Sequence, residues 1–260
     1  MTPISEAVIL MAGSGSRLRG SDETFLKQFV PVLGRPLICY TIEALVHAGI
    51  KKINFVVGYE SDRMIAKVKP LIPPGLERCF IENRNWQKQN GVSLLTAANL
   101  VTSPFLLTMS DHLFDESIVE FLLRNAVLDQ LNLAVDRKLD SIFDADDAMK
   151  VQTRQDRILK IGKDLMVYDG IDTGLFVCPL DIFDYLERVK RDRDCSLADG
   201  VRSMASEGKA RAVDIGDAWW QDIDTPAMLA CAEKHLRSRL ARHDIAMANA
   251  RSDRGNRAEN

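Results

Sequence analysis

The sequence predicts an α/β protein with a Rossmann-like, doubly wound and mostly parallel sheet that carries an antiparallel extension. In the first half of the chain, short apolar runs alternate with amphipathic helical patterns, as parallel strands joined by helices require. The first of these runs, Ala7–Met11, ends in a glycine-rich turn. In the second half, three short apolar segments are separated only by turns, a pattern typical of antiparallel strands.

The segments of the first half are bounded by clear local signals. Pro36 in the first turn and Gly49 after the last turn bound the first helix. The predicted order is strand 7–11, helix 36–48, strand 51–58, helix 61–71, strand 78–82, helix 92–101 and strand 104–109. In such a sheet, ligands bind at the carboxyl ends of the strands. The turn at Gly13 and the side chain of Asp111 should therefore face one crevice.

The second half is predicted to finish with a long helix that ends near Arg242. Strands are expected at 131–136, 149–153, 158–161, 171–177 and 210–215, and helices at 180–190 and 196–208. Ser196 followed by Asp199 forms a capping-box pattern, and Thr225 before Pro226 marks the start of the last helix. We expect residues 1–242 to form a single domain and residues 243–260 to form a polar C-terminal tail.

Composition excludes several classes of protein. The chain has 260 residues and a formal net charge of −3, which suits one α/β domain with a buried core. A mildly acidic protein lacks the basic face that general nucleic-acid binding requires. No stretch approaches the ~18 apolar residues of a membrane helix, and nothing resembles a signal peptide. The five cysteines are scattered without metal-ligand spacing, so we interpret them as reduced thiols in a cytoplasmic protein.

The first loop indicates phosphate binding. Gly13 and Gly15 flank Ser14 and allow a tight turn whose consecutive N–H groups attract an anion. Arg17 adds a planar charged fork, and Lys27 adds a compact charge on a long stem. The loop lacks the third glycine of the dinucleotide fingerprint and the Gly-Lys-Ser/Thr of a P-loop. An ordinary strand-to-loop turn with solvated charges is the alternative interpretation.

Two separated acidic positions are candidates for holding a divalent cation. Asp111 follows the predicted strand 104–109, and Asp224 precedes the last helix. Mg²⁺ is usually held by one or two carboxylates together with substrate phosphates. Asp222 is the alternative to Asp224, since only one of these two acids needs to point inward. Each acid could instead cap or stabilise a helix N-terminus.

A second group of polar residues lies in the antiparallel part. Lys163 is a candidate clamp for a second phosphate, with a solvated hairpin lysine as the alternative. Asp172 could accept hydrogen bonds from hydroxyl groups. Asp136 ends another strand and could line the same cleft. His112, beside Asp111, is interpreted as a structural hydrogen-bonding residue.

Several segments together resemble a known family. Leu10–Leu18, followed by Lys27, is similar to the signature of nucleoside-triphosphate nucleotidyltransferases. The segments that resemble CTP:inositol-1-phosphate cytidylyltransferases are 89–97, 107–112, 135–137, 160–165, 172–177 and 220–225. The likeness extends from about Ala7 to Leu236. It implies a nucleotide-diphospho-sugar transferase-like fold in which the antiparallel extension binds the substrate.

The resemblance also implies roles for individual positions. The implied catalytic residues are Arg17, Lys27, Asp111 and Lys163, with Mg²⁺ on Asp111 and Asp224. The residues implied to bind CTP are Leu10, Ala12, Gly13, Ser14, Gly15, Lys27, Gln89, Gly91 and Ser93. Those implied to bind the phosphorylated acceptor are Asp136, Lys163, Asp172 and Gly174. We expect Lys27 to be exposed before ligands bind, and Gly91 to allow close approach of the cytosine.

Two features depart from the family pattern. The usual Lys-Pro after the loop is Lys27-Gln28 here, so the path after the lysine is expected to differ. Many relatives continue into a membrane-embedded phosphotransferase domain, and we expect this chain alone to make no phospholipid-type product.

The sequence therefore predicts a Mg²⁺-dependent transfer of CMP from CTP to a phosphorylated polyol. Inositol 1-phosphate is the first candidate acceptor, giving CDP-inositol, a phospholipid precursor, and pyrophosphate. Choline-phosphate, aminoalkylphosphonate and sugar-1-phosphate nucleotidyltransferases are alternatives, and the pair Trp219-Trp220 would suit choline. A non-catalytic nucleotide-binding protein is the alternative from another class. No nucleic-acid partner or membrane insertion is expected, and the oligomeric state is left open, with a homodimer as one arrangement.

Overall fold

The computed structural model describes residues 4–15, 18 and 25–258, and it describes residues 243–258 by their backbone alone. Within these ranges the strands are β1 (Glu6–Met11), β2 (Pro31–Val32), β3 (Arg35–Pro36), β4 (Lys52–Val57), β5 (Glu77–Glu82), β6 (Phe105–Met109), β7 (His112–Phe114), β8 (Leu131–Asp136), β9 (Lys150–Arg154), β10 (Arg157–Gly162), β11 (Gly170–Cys178), β12 (Ala210–Asp214) and β13 (Trp220–Asp222). The α-helices are α1 (Leu37–His47), α2 (Ser61–Val68), α3 (Asn90–Leu95), α4 (Glu116–Asn125), α5 (Ile182–Val189), α6 (Leu197–Ser206) and α7 (Pro226–Ala258).

One large mixed sheet organises the described part of the chain. Its strands run in the order β5-β4-β1-β6-β11-β8-β12-β10-β9. β5, β4, β1 and β6 pair in parallel, whereas β11 lies antiparallel to both β6 and β8. β9 and β10 form an antiparallel pair at the far edge. The predicted parallel half and its antiparallel extension are therefore confirmed, and they share a single sheet.

The first strand shows why both faces of the sheet are covered. Val8 and Leu10 lie in one core with α3, α5 and α6, whereas Ile9 and Met11 lie in a second core with α1, α2 and α4. Successive side chains of a strand point to opposite faces, so a continuously apolar strand has to be buried on both sides. The strand order reverses between β1 and β6, which places the favoured ligand crevice at the carboxyl ends of these two strands.

A two-stranded ribbon lies beside these carboxyl ends. β7 and β13 pair antiparallel, with Asp222 opposite His112. The N–H of Ile223 donates to the carbonyl oxygen of Asp111 over 2.8 Å. The side chain of Ile223 is buried in a small third core together with residues of α7. The ribbon thereby brings Asp224 next to Asp111, although the two are far apart in sequence.

Two helices of the parallel half differ from the sequence-based expectation. The pattern predicts a helix over 92–101, but α3 spans Asn90–Leu95 and turns follow it. α4 is absent from the prediction, although Ile118, Val119 and Leu122 have helical spacing and are buried. Both differences lie near chain reversals, where turn residues obscure the periodic pattern.

The last helix is longer than predicted. α7 continues to Ala258, past the predicted end near Arg242. The extra residues include alanine, methionine and arginine, which favour the helical backbone even without an apolar stripe. Among the described helices, none combines the length and the apolar character needed to cross a bilayer.

Candidate active site

Lys27 lies at the centre of the site, between two carboxylates. Its Nζ donates to Oδ2 of Asp111 over 2.7 Å and also contacts Oδ1 of Asp224. The lysine is only 4% exposed, so the expectation of an exposed lysine is wrong. The reason is electrostatic, because two acids that follow β6 and β13 together offset the cost of burying one ammonium group.

The ion pairs of this cluster stabilise the ionised forms of Lys27 and Asp111. Burial alone would lower the pKa of Lys27, but the negative charges of Asp111 and Asp224 outweigh burial and raise that pKa above its ordinary value. Burial alone would raise the pKa of Asp111, yet Lys27 and a hydrogen bond from His112 hold it well below its usual range. Asp111 and Lys27 therefore both carry their charges at neutral pH.

A cavity of about 400 Å³, here called the glycine-loop cavity, lies beside the turn that follows β1. The predicted nucleotide-binding residues that line it are Leu10, Ala12, Gly13, Gly15, Lys27 and Ser93. Ser14, Gln89 and Gly91 do not line it. The prediction for Arg17 falls outside the described residues.

The backbone at Gly15 makes room for the central lysine. Gly15 has a positive φ of 63°, and a Cβ at this position would lie 2.7 Å from the Cβ of Lys27. Glycine alone combines this left-handed conformation with such close packing at little cost. The turn and the lysine are thus held together, as the phosphate-binding interpretation of the loop requires.

Gly91 packs against protein rather than facing the cavity. A Cβ on Gly91 would lie 2.7 Å from the carbonyl oxygen of Cys195, so the missing side chain lets α3 approach the start of α6. Gln89 is exposed on the surface. The positions in and beside this segment that do line the glycine-loop cavity are Lys88, Asn90 and Ser93. The expectation that Gly91 faces a bound base therefore does not fit its place in the structure, which is against the protein interior.

A second cavity, of about 490 Å³, lies against the antiparallel strands and is here called the extension cavity. All of the predicted acceptor-binding residues line it, namely Asp136, Lys163, Asp172 and Gly174. The residues shared by the linings of both cavities are Asn90, Met109, His112 and Asp224. Because the cavities meet beside Lys27, two molecules bound one in each cavity would face each other across the charged cluster.

Two of these lining residues already have partners. Asp136 accepts a hydrogen bond from the indole N–H of Trp220 (2.9 Å) and, with its other oxygen, from the backbone N–H of Lys138 (2.8 Å). Lys163 pairs with Asp147, and both of these side chains are nearly half exposed. Exposed pairs are weak, so Lys163 can exchange Asp147 for another anion. Asp136 instead shapes the wall of the cavity through Trp220.

Asp172 is a carboxylate in an unfavourable setting. Burial raises its pKa to about 6, although the N–H of Gly174 donates to it over 2.7 Å. The pKa of Asp222 is also raised, by burial and by neighbouring carboxylates. Carboxyl groups perturbed in this way within a cavity are typical of functional sites. Both acids therefore favour a partner that donates hydrogen bonds or brings positive charge.

The donor set at Asp111 and Asp224 fits a magnesium ion. One oxygen of each carboxylate contacts the Nζ of Lys27. The two carboxylates therefore face a common point, and their negative charges stabilise a positive charge there. The described residues contain no cluster of three or more metal-binding side chains, so phosphate oxygens and water would have to complete the coordination, as Mg²⁺ commonly allows. Asp222 instead receives a hydrogen bond from Gln221 (2.8 Å), which favours Asp224 as the second ligand.

Some lining residues have no counterpart in the sequence-based prediction. Trp86 and Lys88 line the glycine-loop cavity, and Lys88 also donates to the carbonyl of Arg193 over 2.7 Å. Phe143 lines the extension cavity although nearly half of it is exposed. These residues lie in irregular segments. A large aromatic or charged side chain in a loop was the available signal, and it is a weak one.

Comparisons with known proteins agree with this geometry. Residues 7–256 match a model of the MobA-like NTP transferase domain. Among curated proteins, the bifunctional IPC transferase and DIPP synthase of Aquifex aeolicus is 32% identical over 235 residues. This match covers 90% of the present chain and 52% of the relative, so the chain spans about half the length of the curated relatives it matches.

Solved structures share the fold. The inositol-1-phosphate CTP transferase from T. maritima has a TM-score of 0.78 at 28% identity, covering 89% of this chain and 97% of that one. UTP-bound UGPase from Acinetobacter baumannii has a TM-score of 0.69 at 18% identity, covering 90% and 93%, and this likeness concerns the fold alone. The chain has the nucleotide-diphospho-sugar transferase-like α/β fold and belongs to the MobA-like NTP transferase domain family, a family of nucleotidyltransferases.

Proposed function

We propose that this chain catalyses a cytidylyl transfer, in which CMP moves from CTP to a phosphorylated polyol and pyrophosphate is released. Inositol 1-phosphate is the first candidate acceptor, and the product is then CDP-inositol. The names of two relatives support this choice, since one is an IPC transferase and the other an inositol-1-phosphate CTP transferase.

The observation that carries the proposal is the meeting of two cavities at one charged cluster. The glycine-loop cavity supplies backbone N–H groups and Lys27 for a triphosphate, and the extension cavity supplies Lys163 and Asp172 for a second molecule. Transfer of a nucleotidyl group needs the attacking and leaving oxygens roughly in line at phosphorus. Two cavities that share one wall support such an arrangement.

The proposed reaction needs no general base from the protein. The second pKa of a phosphate monoester is about 6, so the acceptor phosphate is already an anionic nucleophile at neutral pH. One of its oxygens forms a bond to the α-phosphorus of CTP, the bond to the β-phosphate breaks, and pyrophosphate leaves with the electron pair. The protein has to hold two strongly negative molecules together, and Lys27 and Lys163 supply positive charge on the two sides.

Asp111 and Asp224 are the residues that we propose to hold Mg²⁺. A bound Mg²⁺ ion would offset the negative charge that develops around the α-phosphate. Lys27 contacts both carboxylates and keeps them close together, so the two ligands are already assembled in the fold. Preassembly lowers the cost of bringing two like charges to one point.

The choice of a polyol rests on Asp172. An ionised carboxylate accepts hydrogen bonds and donates none, so it suits a ring that carries several hydroxyl groups. The N–H of Gly174 fixes Oδ1 of Asp172, and none of the described residues donates a hydrogen bond to Oδ2. The second oxygen is therefore the one proposed to accept from the acceptor.

Choline phosphate or an aminoalkylphosphonate is the second candidate acceptor, because the extension cavity is acidic. Its lining carries more acids than lysines, the acids being Asp136, Asp144, Asp147, Asp172, Asp222 and Asp224. Trp219 and Trp220 line the same cavity, and an indole face attracts a cation. His235 stacks on Trp219 and His112 stacks on Trp220, so one face of each indole is already covered. This leaves less indole surface for a cation and weakens the case for choline. A sugar 1-phosphate is the remaining candidate, and because it carries no cation, the cavity would have to select its sugar through the hydroxyl groups alone.

The proposal is tested by measuring pyrophosphate release. The nucleotide is CTP or UTP, and each is combined in turn with inositol 1-phosphate, glycerol 3-phosphate, glucose 1-phosphate and choline phosphate. We expect the highest kcat/KM for CTP with inositol 1-phosphate, and no release without Mg²⁺. Asp111→Asn should lower kcat by about 10²–10³ or more without unfolding the protein. A clear preference for choline phosphate would support the second candidate, and no turnover with any pair would support a non-catalytic nucleotide-binding protein.

A further inference from the structure

We propose that His112 is a positioning residue, which holds the carboxylate of Asp111 in the orientation that faces Lys27. The inference rests on the proposed function, because it concerns the magnesium ligand of that reaction. His112 takes no part in bond making or breaking, and it acts only by orienting Asp111.

The carboxylate of Asp111 is held from two sides. Nδ1 of His112 lies 2.8 Å from one oxygen, Oδ1, while Lys27 donates to the other oxygen, Oδ2, over 2.7 Å. Rotation of the carboxylate would break both contacts. Lysine is a flexible side chain with a compact charge, so the imidazole is the stiffer of the two partners.

The imidazole is in turn fixed by two other segments of the chain. Its ring lies nearly parallel to the indole of Trp220, with centroids 6.0 Å apart and an interplanar angle of 15°. Gly174 also lies against it, and a Cβ on Gly174 would be 2.7 Å from both Cδ2 and Nε2 of His112. Gly174 has a φ of 76°, a conformation that residues with a side chain rarely adopt. The position of the ring thus depends on the absence of a side chain at residue 174.

These contacts connect the extension cavity with the metal ligand. Gly174 fixes Asp172 through its N–H and the imidazole through its Cα side, and His112 lines both cavities. Partners that orient a ligating carboxylate commonly contribute 10–100-fold to metal affinity. His112 should therefore affect how strongly Mg²⁺ supports CTP binding, and not the fold alone.

Four variants separate positioning from general support of the fold. His112→Phe keeps a flat ring beside Trp220 but removes the donor to Asp111. His112→Asn keeps a donor near the place of Nδ1, and Gly174→Ala displaces the imidazole without altering it. His47→Phe is the matched control, because Nδ1 of His47 lies 2.9 Å from Glu116 in a similar pair on the surface. Circular dichroism checks the fold of each variant.

Isothermal titration calorimetry with CTP, in the absence of any acceptor, gives the ratio of the dissociation constants without and with Mg²⁺. We expect His112→Phe and Gly174→Ala to reduce this ratio about tenfold, and His112→Asn and His47→Phe to keep it within about threefold of wild type. In turnover assays, the Mg²⁺ concentration for half-maximal rate should rise in His112→Phe more than kcat falls.

An unchanged ratio in folded His112→Phe would overturn the proposal, and so would an equal loss in His112→Asn. If His112→Phe does not fold, His112→Leu makes the same comparison with a smaller side chain. Wild-type protein that binds CTP with Mg²⁺ but releases no pyrophosphate would contradict the proposed function, whereas the calorimetric ratio would still decide the role of His112.

Discussion

Lys27 serves both the fold and the proposed reaction. Its ammonium group joins Asp111 and Asp224, which would otherwise repel each other across the end of the sheet. Its side chain also packs against Gly15 of the glycine-rich turn. A single substitution at this residue should therefore change stability as well as catalysis.

Lys27→Met should destabilise the protein by about 3 kcal/mol at neutral pH, because it leaves two partly buried carboxylates without a cation. The charge of Lys27 helps to lower the pKa of Asp111 in the folded state. The stability that this ion pair contributes is therefore fully present above pH 3.8, the ordinary pKa of the carboxyl group, and is lost as the pH falls below it. In urea unfolding, the difference between wild type and variant should accordingly shrink below about pH 4. Exposed Lys51→Met is the control, and a difference that stays constant from pH 7 to pH 3 would contradict this account.

Asp172→Asn should stabilise the protein while it impairs acceptor use. Burial raises the pKa of Asp172 to about 6 in the folded state, above its ordinary 3.8, so wild type loses stability as the pH rises through this interval. A neutral amide avoids that loss, and at pH 7 the gain should approach about 3 kcal/mol. Urea unfolding at pH 4 and pH 7 measures it, and the KM for the acceptor should rise in the same variant. Equal stability of the two proteins at both pH values would refute a raised pKa for Asp172.

At the residue scale, the sequence singled out three residues that the structure brings together, but it did not predict their contacts. Lys27, Asp111 and Asp224 were predicted as a phosphate lysine and two metal ligands. Their mutual pairing was not predicted, because the two acids lie 84 and 197 positions from the lysine in sequence. The prediction that Lys27 is exposed was wrong for the same reason, since burial of a charge depends on partners that local sequence patterns do not reveal.

At the element scale, the start of α6 shows how a short sequence signal determines a boundary. Ser196 Oγ accepts from the N–H of Asp199 (3.1 Å), and Oδ2 of Asp199 accepts from the N–H of Ser196 (2.7 Å). The predicted capping box is confirmed. Because Ser196 also lines the extension cavity, the cap fixes one part of the cavity wall.

Ser196→Ala should lower the free energy of unfolding by about 1 kcal/mol, the usual cost of losing a side-chain N-cap. Ser206→Ala in the same helix is the control, because Ser206 is exposed and donates to the carbonyl of Ser203 within the helix, and alanine is the better helix former. Urea unfolding curves of both variants measure the effect. Equal stability of Ser196→Ala and Ser206→Ala would show that the cap contributes nothing.

Except for α4, the helices with local signals were predicted, whereas the elements defined by distant pairing were not. The N–H of Met228 donates to Oγ1 of Thr225 (3.2 Å), as the Thr225-Pro226 pattern predicts for the start of α7. The ribbon of β7 and β13 was not predicted, because each strand has three residues and the paired residues, such as His112 and Asp222, are far apart in the sequence. This ribbon brings Asp111 next to Asp224, so the complete site could not be predicted from local sequence patterns.

At the scale of the whole molecule, the order of strands explains why two cavities meet at one cluster. β6 lies between β1, which carries the glycine-rich turn, and β11, which carries Asp172 and Gly174. Asp111 follows β6 and therefore lies between the two groups of ligand-binding candidates. A mixed sheet with this order thus places the proposed nucleotide and acceptor on opposite sides of the proposed metal ligand.

In the proposed reaction, a nucleotidyl group passes between two phosphates at the Lys27 cluster. This transfer can be followed by ³¹P NMR of the wild-type protein with CTP, inositol 1-phosphate and Mg²⁺. We expect the signal of pyrophosphate together with two new, mutually coupled phosphorus signals, because the α-phosphorus of CTP and the acceptor phosphorus are then joined through one oxygen. Appearance of CMP without the coupled pair, or unchanged signals of both substrates, would contradict the proposed reaction.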